Sequence, residues 1–326
     1  MSEEVRREPT GMTASGVSYA DHLNRYGIFV FAVLLIVVGG LTSPVFLTSK
    51  NLQNIFTEAA PLGIVVIGQC LVILVRGLDL SVASVMATAA VIATEFNAVS
   101  NAMIPVIFLV CIAFSALVGL VNGLLVTKRQ VSPFLATLAT MIVLQGIRFS
   151  TTKGAPSGSL PEGFRFLGTG QILGIPTGIV ALLILAAFFC YLLHKTGFGR
   201  RVYLVGNNPA ASNLVGISSD RVTISCYVLS SVCACIGGLF LVGYVGSIDN
   251  FVGQGYELLS IVAAVMGGVA LTGGRGSILG GLAGALILTV IFNLVLLNGL
   301  PSEFQYIIQG VIIIAATAFY MLRRTN

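Results

Sequence analysis

From Ile278 to Leu297 the chain runs for 20 residues without a charged side chain. About 20 apolar residues, wound as a helix, match the thickness of a bilayer's hydrocarbon core. Long apolar stretches recur at Tyr26–Thr42, Ile104–Val126, Pro176–Leu193, Val222–Tyr244 and Phe304–Leu322. Shorter ones lie at Ala60–Val75, Ser81–Glu95, Pro133–Ile147 and Leu258–Leu271. This pattern fits an all-α bundle in a membrane of about ten spanning helices; eight or nine would also fit. Composition agrees, with 56% of the chain apolar, 9% charged and a mean hydropathy of +0.99. A soluble domain is excluded by those values.

Ten spans return both termini to one side. With the termini cytoplasmic, 13 basic residues fall on that face: Arg6, Arg7, Arg25, Arg76, Lys128, Arg129, Lys195, Arg200, Arg201, Arg221, Arg275, Arg323 and Arg324. Four fall opposite: Lys50, Arg148, Lys153 and Arg165. That is the positive-inside bias of a multi-pass protein. The same distribution accounts for the net charge of +5 without any affinity for nucleic acid. Residues 1–25 read as a cytoplasmic tail, 26–322 as the membrane domain and 323–326 as a second tail. Between the first two spans, residues 43–60 read as a turn and a short amphipathic helix. Residues 149–171 read as a polar loop. The six Cys lie mostly within apolar segments and form no disulfide framework, and the two His have no metal-ligand spacing.

Three polar interruptions stand out. The longest is Lys195–Arg221. Within it Asn208 and Pro209 form a helix start, cap followed by proline. Ala210, Ala211, Ser212, Asn213, Leu214 and Val215 then give about two turns, and Gly216 a stop before Ile217. The reading is a short displayed helix, either a solvated connector or a docking point for a cytoplasmic partner. The second interruption, Arg76–Ser81, contains Asp79. An ionisable group near membrane depth is a functional candidate. Asp79 could cap the third span near the cytoplasmic surface, pair with Arg76, or take substrate or a proton, and its place in the chain favours the cap. Gly77 would allow the bend and Ser81 would cap the next helix. The third interruption is the Gly-rich stretch 271–277, with Gly273, Gly274 and Gly276. It fits no nucleotide-binding loop and reads as a hinge.

Gly276, Gly280 and Gly284 recur every four residues, as do Gly119 and Gly123, the spacing of close helix contacts. Polar residues inside the spans are Gln69, Asn122, Gln145, Asn293, Gln305 and Gln309, each a candidate interhelical hydrogen bond. A faint repeat links Gly77–Leu80 (GLDL) to Gly255–Leu258 (GYEL), which makes Glu257 the counterpart of Asp79. With five spans in each half, the two copies would be inverted. No Walker motif, nucleophile–base pair or metal cluster is present, so the chain reads as a transporter rather than an enzyme.

Four runs together resemble a known family: SPVFLTSKNLQNI, GQCLVILVRGLDLSVAS, GFGRRVYLVGNNPAASNLVGI and GYELLSIVAAVMGGVALTGGRGSILGGLAGALI. The chain resembles, over residues 42–322, the permeases of bacterial ATP-binding cassette (ABC) sugar importers of the ribose, xylose and arabinose group. The resemblance implies an inner-membrane permease that binds no cofactor itself. It implies a second permease subunit, a cytoplasmic ATPase that uses ATP and Mg, and a periplasmic or lipid-anchored sugar-binding protein. It also implies that Asn208–Ile217 carries the coupling helix. The sequence departs from the family's usual pattern at Pro209-Ala210-Ala211, where Glu-Ala-Ala is common, and at Ala83 and Ser260. Nucleoside and branched-chain amino-acid permeases are more distant relatives, so those substrates remain alternatives. A proton-coupled secondary transporter using Asp79 or Glu257 is the rival from another class. The resemblance assigns no substrate-binding residue.

Overall fold

A computed structural model describes residues 19–96, 100–156 and 159–324. The expected tail residues 1–18 and the last two, 325 and 326, lie outside the described residues. The architecture is helical throughout, apart from a two-residue hairpin. α1 (Tyr19–Thr42) is followed by α2 (Ser49–Leu74), α3 (Val82–Glu95), α4 (Ile104–Lys128) and α5 (Pro133–Thr152). α6 (Glu162–Thr169) and the hairpin of β1 (Gln171–Ile172) with β2 (Ile175–Pro176) lead into α7 (Thr177–Lys195). Then come α8 (Gly197–Asn207), α9 (Pro209–Leu214), α10 (Ser219–Val245), α11 (Tyr256–Met266), α12 (Ile278–Leu297) and α13 (Glu303–Arg324). Among the described residues, six helices are long and apolar enough to cross a membrane, and three more are apolar but shorter.

The helix boundaries correct the sequence reading in four places. α1 starts at Tyr19, so part of the expected N-terminal tail is helical, as are Arg323 and Arg324 at the other end. The amphipathic helix and the second span are one 26-residue helix, α2, which continues through Pro61. The polar loop 149–171 is largely structured, because α5 runs on to Thr152 and α6 packs on α10. Arg148 therefore belongs to the body of α5, where it is buried, and not to an outer loop.

α2 and α10 form the centre. All of α2 from Ala59 to Leu74 is buried, although a membrane helix with one lipid face would expose a stripe. Its neighbours are α7, α10, α11 and α12. Small residues let these helices approach. A Cβ on Gly68 of α2 would stand 2.7 Å from Ser230 Cα of α10. One on Gly119 of α4 would stand 2.7 Å from Val228 Cα, and one on Gly123 2.8 Å from Ile224 Cα. Without a hydrophobic driving force between helices in lipid, such close contact supplies the attraction. On α12, Gly280 and Gly284 meet the backbone of Gly267 and Ala263 at the end of α11. Gly276 is not on that face: it precedes α12 and is part of the loop, with φ of 137°.

Hydrogen bonds sort the connections into two ends. At one end Gly274 N–H donates to Leu74 O (2.9 Å), and Lys128 pairs with Asp220 (2.6 Å). At the other, Gly163 N–H donates to Asn101 Oδ1 (2.8 Å), Asn250 to Thr152 (3.0 Å), and Asn51 and Asn293 exchange amide hydrogen bonds at 2.9 and 3.0 Å. Segments 75–81, 129–132, 196–218 and 267–277 thus share one end.

Candidate coupling and gating site

The three polar interruptions, separate in sequence, meet at that first end. α8 brings them together. Its helix starts at Thr196, whose hydroxyl accepts from Gly199 N–H (3.5 Å), and it buries Gly199, Val202, Val205 and Gly206 along one face. Gly206 lies against the end of α2 and the Gly273–Gly274 turn so closely that a Cβ would collide with Leu74 O and Gly274 N.

Two side chains lock this layer. Arg76 Nε donates to Gly206 O (2.7 Å), and a terminal guanidinium nitrogen donates to Asn207 O. These are the carbonyls at the end of α8, where the helix dipole and unpaired acceptors favour a cation. Tyr203 Oη donates to Gly276 O (3.0 Å). The end of α2, the loop 271–277 and the last turn of α8 therefore form one hydrogen-bonded unit. Arg76 does not pair with Asp79. Arg76 also makes the turn itself, at φ of 67°, a left-handed conformation costing a non-glycine residue about 1–2 kcal/mol. Gly77 is needed for space instead, since a Cβ there would stand 2.6 Å from Tyr227 Oη.

α9 projects from this unit. Asn208 Oδ1 accepts from Ala211 N–H (3.0 Å), the cap expected of Asn before Pro209. Val215 closes the helix, and Gly216 reverses the chain at φ of 82°. Ser212 is turned inward, and its hydroxyl donates to Asn208 O (2.8 Å). Asn213 Oδ1 accepts from Ser219 N–H (3.0 Å), while Ser219 Oγ donates to Pro209 O (2.9 Å), fixing α9 to the start of α10. Ile217 is half-buried and its N–H donates to Ser212 O (3.0 Å). Ala210 and Ala211 are exposed, and the tip presents Leu214 at 90% exposure and Val215 at 73%. Two apolar side chains held out on a rigidly tied, two-turn helix form a compact knob.

Asp79 lies inward of this layer and is fully buried. The surface cap expected from the sequence is replaced by a network. Oδ1 accepts from Ser81 N–H (3.0 Å) and Ser81 Oγ (2.6 Å), and Oδ2 accepts from Ser230 Oγ of α10 (3.0 Å). Ser81 Oγ, thus turned to Asp79, does not cap α3, and it accepts from Asn122 of α4 (2.9 Å). Asn122 Oδ1 in turn accepts from Thr140 of α5 (2.6 Å). With its amide oriented to satisfy both partners, Gln69 of α2 donates to Asp79 O (3.1 Å) and accepts from Asp79 N–H (3.3 Å). Leu80 N–H donates to Thr137 of α5 (3.1 Å), and Tyr227 Oη to Leu78 O (3.3 Å). Asp79, through its carboxylate, its backbone and the groups bonded to them, thus links α2, α3, α4, α5 and α10. Gln69 and Asn122 are legible in the sequence as interhelical groups, whereas Ser230, Thr140 and Tyr227 lie in other elements and carry no such signal.

Glu257 stands at the first turn of α11, toward the opposite end. Its carboxylate accepts from Gly255 N–H (2.9 Å), a local start-of-helix bond. It lines a cavity of about 90 Å³ beside Arg148, Gln145 and Gln254. Glu257 is therefore not part of the unit formed by Arg76, Gly206 and Gly273–Gly276.

A family described as the permease component of branched-chain amino acid transport systems matches residues 51–317. The ribose import permease protein RbsC of Escherichia coli is 38% identical over 317 residues, covering 94% of this chain and 97% of the relative. The ribose import permease protein of Bacillus subtilis is 34% identical, covering 97% of each chain. The galactose/methyl galactoside import permease protein MglC of Escherichia coli is 34% identical, covering 94% of this chain and 96% of the relative. No solved structure matches significantly. With the family matched from α2 to α13 and relatives aligned almost end to end, this chain belongs to the membrane permeases of that transport family.

Proposed function

We propose that the chain is the permease subunit of an ABC importer in the inner membrane, and that it carries a monosaccharide inward. Sugar is favoured over an amino acid or nucleoside because the relatives aligned over nearly the whole chain are import permeases for ribose and galactose. ATP and Mg are used by a partner ATPase. A second permease subunit and a sugar-binding protein complete the assembly, with the binding protein at the face opposite α9.

The observation that carries the mechanism is the bonding of α8 to both gate segments. A partner gripping the knob of Leu214 and Val215 would pull on a rigid lever. That lever is tied through Arg76 and Gly206 to the end of α2, and through Tyr203 and Gly274 to the loop before α12. Displacement of the lever therefore reaches both segments at once, while the Asp79 network keeps α2, α3, α4, α5 and α10 moving together. Packed, hydrogen-bonded contacts of this kind are the physical network through which coupling between two places in a fold is carried, once the element they tie has two arrangements.

The helix pairings support an inverted repeat of five spans. α3 meets α10 as α11 meets α2, α3 meets α5 as α11 meets α13, and α4 meets α10 as α12 meets α2. In each half a long helix, α2 or α10, precedes a short one, α3 or α11.

The test is uptake of labelled D-ribose and D-galactose into vesicles that contain the chain with its ATPase and binding protein. Uptake of at least one sugar that requires ATP and survives a protonophore is the expected result. Uptake that a protonophore abolishes, with ATP irrelevant, would instead make Asp79 or Glu257 a proton site.

A further inference from the structure

The cavity of about 90 Å³ at the far end is built from three elements: Ser84 and Ala87 of α3, Met141, Gln145 and Arg148 of α5, and the segment Asn250–Glu257. Its volume is that of about three liquid waters, enough for one polar edge of a ring solute.

Arg148 dominates its chemistry. The side chain is 4% exposed, and a buried charge is retained only against a large desolvation cost. Its partners are neutral: Nη1 donates to Ser84 O (3.0 Å) and Thr88 Oγ1 (3.1 Å), and Nη2 donates to Asn250 O (3.2 Å). Arg148 and Glu257 line the same cavity yet form no ion pair among the described residues. Nε is buried without a partner. Of the five guanidinium N–H groups, three are used and one is sealed off, so a single terminal N–H remains.

That inventory selects a ligand. A carboxylate or phosphate takes two parallel N–H bonds from arginine, and one is free. Glu257 in the same cavity repels anions, and Arg148 repels cations. A hydroxyl donates and accepts, so neighbouring hydroxyls can accept from Arg148 and donate to Glu257. Gln145 and Gln254 have no side-chain hydrogen bond among the described residues, leaving two amides able to do both. Phe251, 51% exposed and braced edge-on by Phe149, offers an apolar face for ring C–H groups. We infer that this cavity is a solute subsite for a neutral polyhydroxylated ring, with Arg148, Glu257, Gln145 and Gln254 as its hydrogen-bonding groups. The inference rests on the sugar-importer reading and adds the residues that meet the sugar.

The test uses the complete complex in vesicles, with labelled D-ribose, D-galactose and L-leucine as solutes, and follows uptake and ATP hydrolysis in parallel. Q145A and Q254A remove no internal bond and should reach normal levels in the membrane. Each should lower uptake of the carried sugar about tenfold, while hydrolysis stimulated by the loaded binding protein stays within about twofold. R148K, which keeps the charge but changes the donor geometry, should give the same split. Undiminished sugar uptake by both glutamine variants would overturn the subsite alone. Leucine carried in place of both sugars by the unsubstituted complex would overturn the sugar reading and the ligand assigned here.

Discussion

At the scale of single residues, Asp79 and Gly206 make the clearest claims. Asp79 accepts three hydrogen bonds in a site closed to water, so truncation strands Ser81 and Ser230 as well as removing the acceptor. Each buried donor left unpaired costs about 1–3 kcal/mol. D79A should lower the thermal unfolding midpoint of the detergent-solubilised chain by several degrees, and D79N by less, because the amide oxygen still accepts. Equal midpoints for D79A and the unsubstituted chain would refute the network. Gly206 has no room for a Cβ. G206V should leave the chain in the membrane but abolish uptake, as shown by immunoblot and transport assay on the same vesicles. Neither site was fully legible in the sequence. Asp79 could be singled out as an ionisable residue between apolar runs, but its depth is set by Ser230 and Asn122, 151 and 43 positions further along the chain. Gly206 sat in a stretch whose glycines and arginines hid the helical face of Val202 and Val205.

At the scale of elements, α9 was legible because its signals are local. Asn208, Pro209 and Gly216 are a cap, a first-turn proline and a left-handed stop, and each acts within one turn of its own position. α8 and the unbroken α2 were not legible for the converse reason. α8 draws its stability from burial against α2 and α7, and α2 passes through Pro61 because helices on every side hold it. The exposed tip of α9 gives a test independent of folding. L214E adds a charge to a side chain that touches little, so thermal stability should change by less than about 0.5 kcal/mol. Recovery of the ATPase with the purified chain should nevertheless fall at least tenfold. A charge inserted at Ala211 should uncouple transport in the same way. Normal recovery and normal uptake in both variants would remove α9 from the coupling role.

At the scale of the whole molecule, the proposed role requires a displacement at one end to alter access between the helices. The apolar runs made the helical bundle legible. They could not foretell that Arg76–Ser81, Lys195–Arg221 and Leu271–Ser277 converge, since convergence follows from packing α2 at the centre with α7, α10 and α12 around it. On that convergence rests the proposal that α8 and α9 act as a lever on both gate segments, with Arg76 as its main tie. The most direct measurement is the number of sugar molecules imported per ATP hydrolysed by the complete complex, compared between the unsubstituted chain and R76A. We predict that R76A retains its ATPase partner and its stimulated hydrolysis while the ratio falls about tenfold. An unchanged ratio, with both activities intact, would contradict the account.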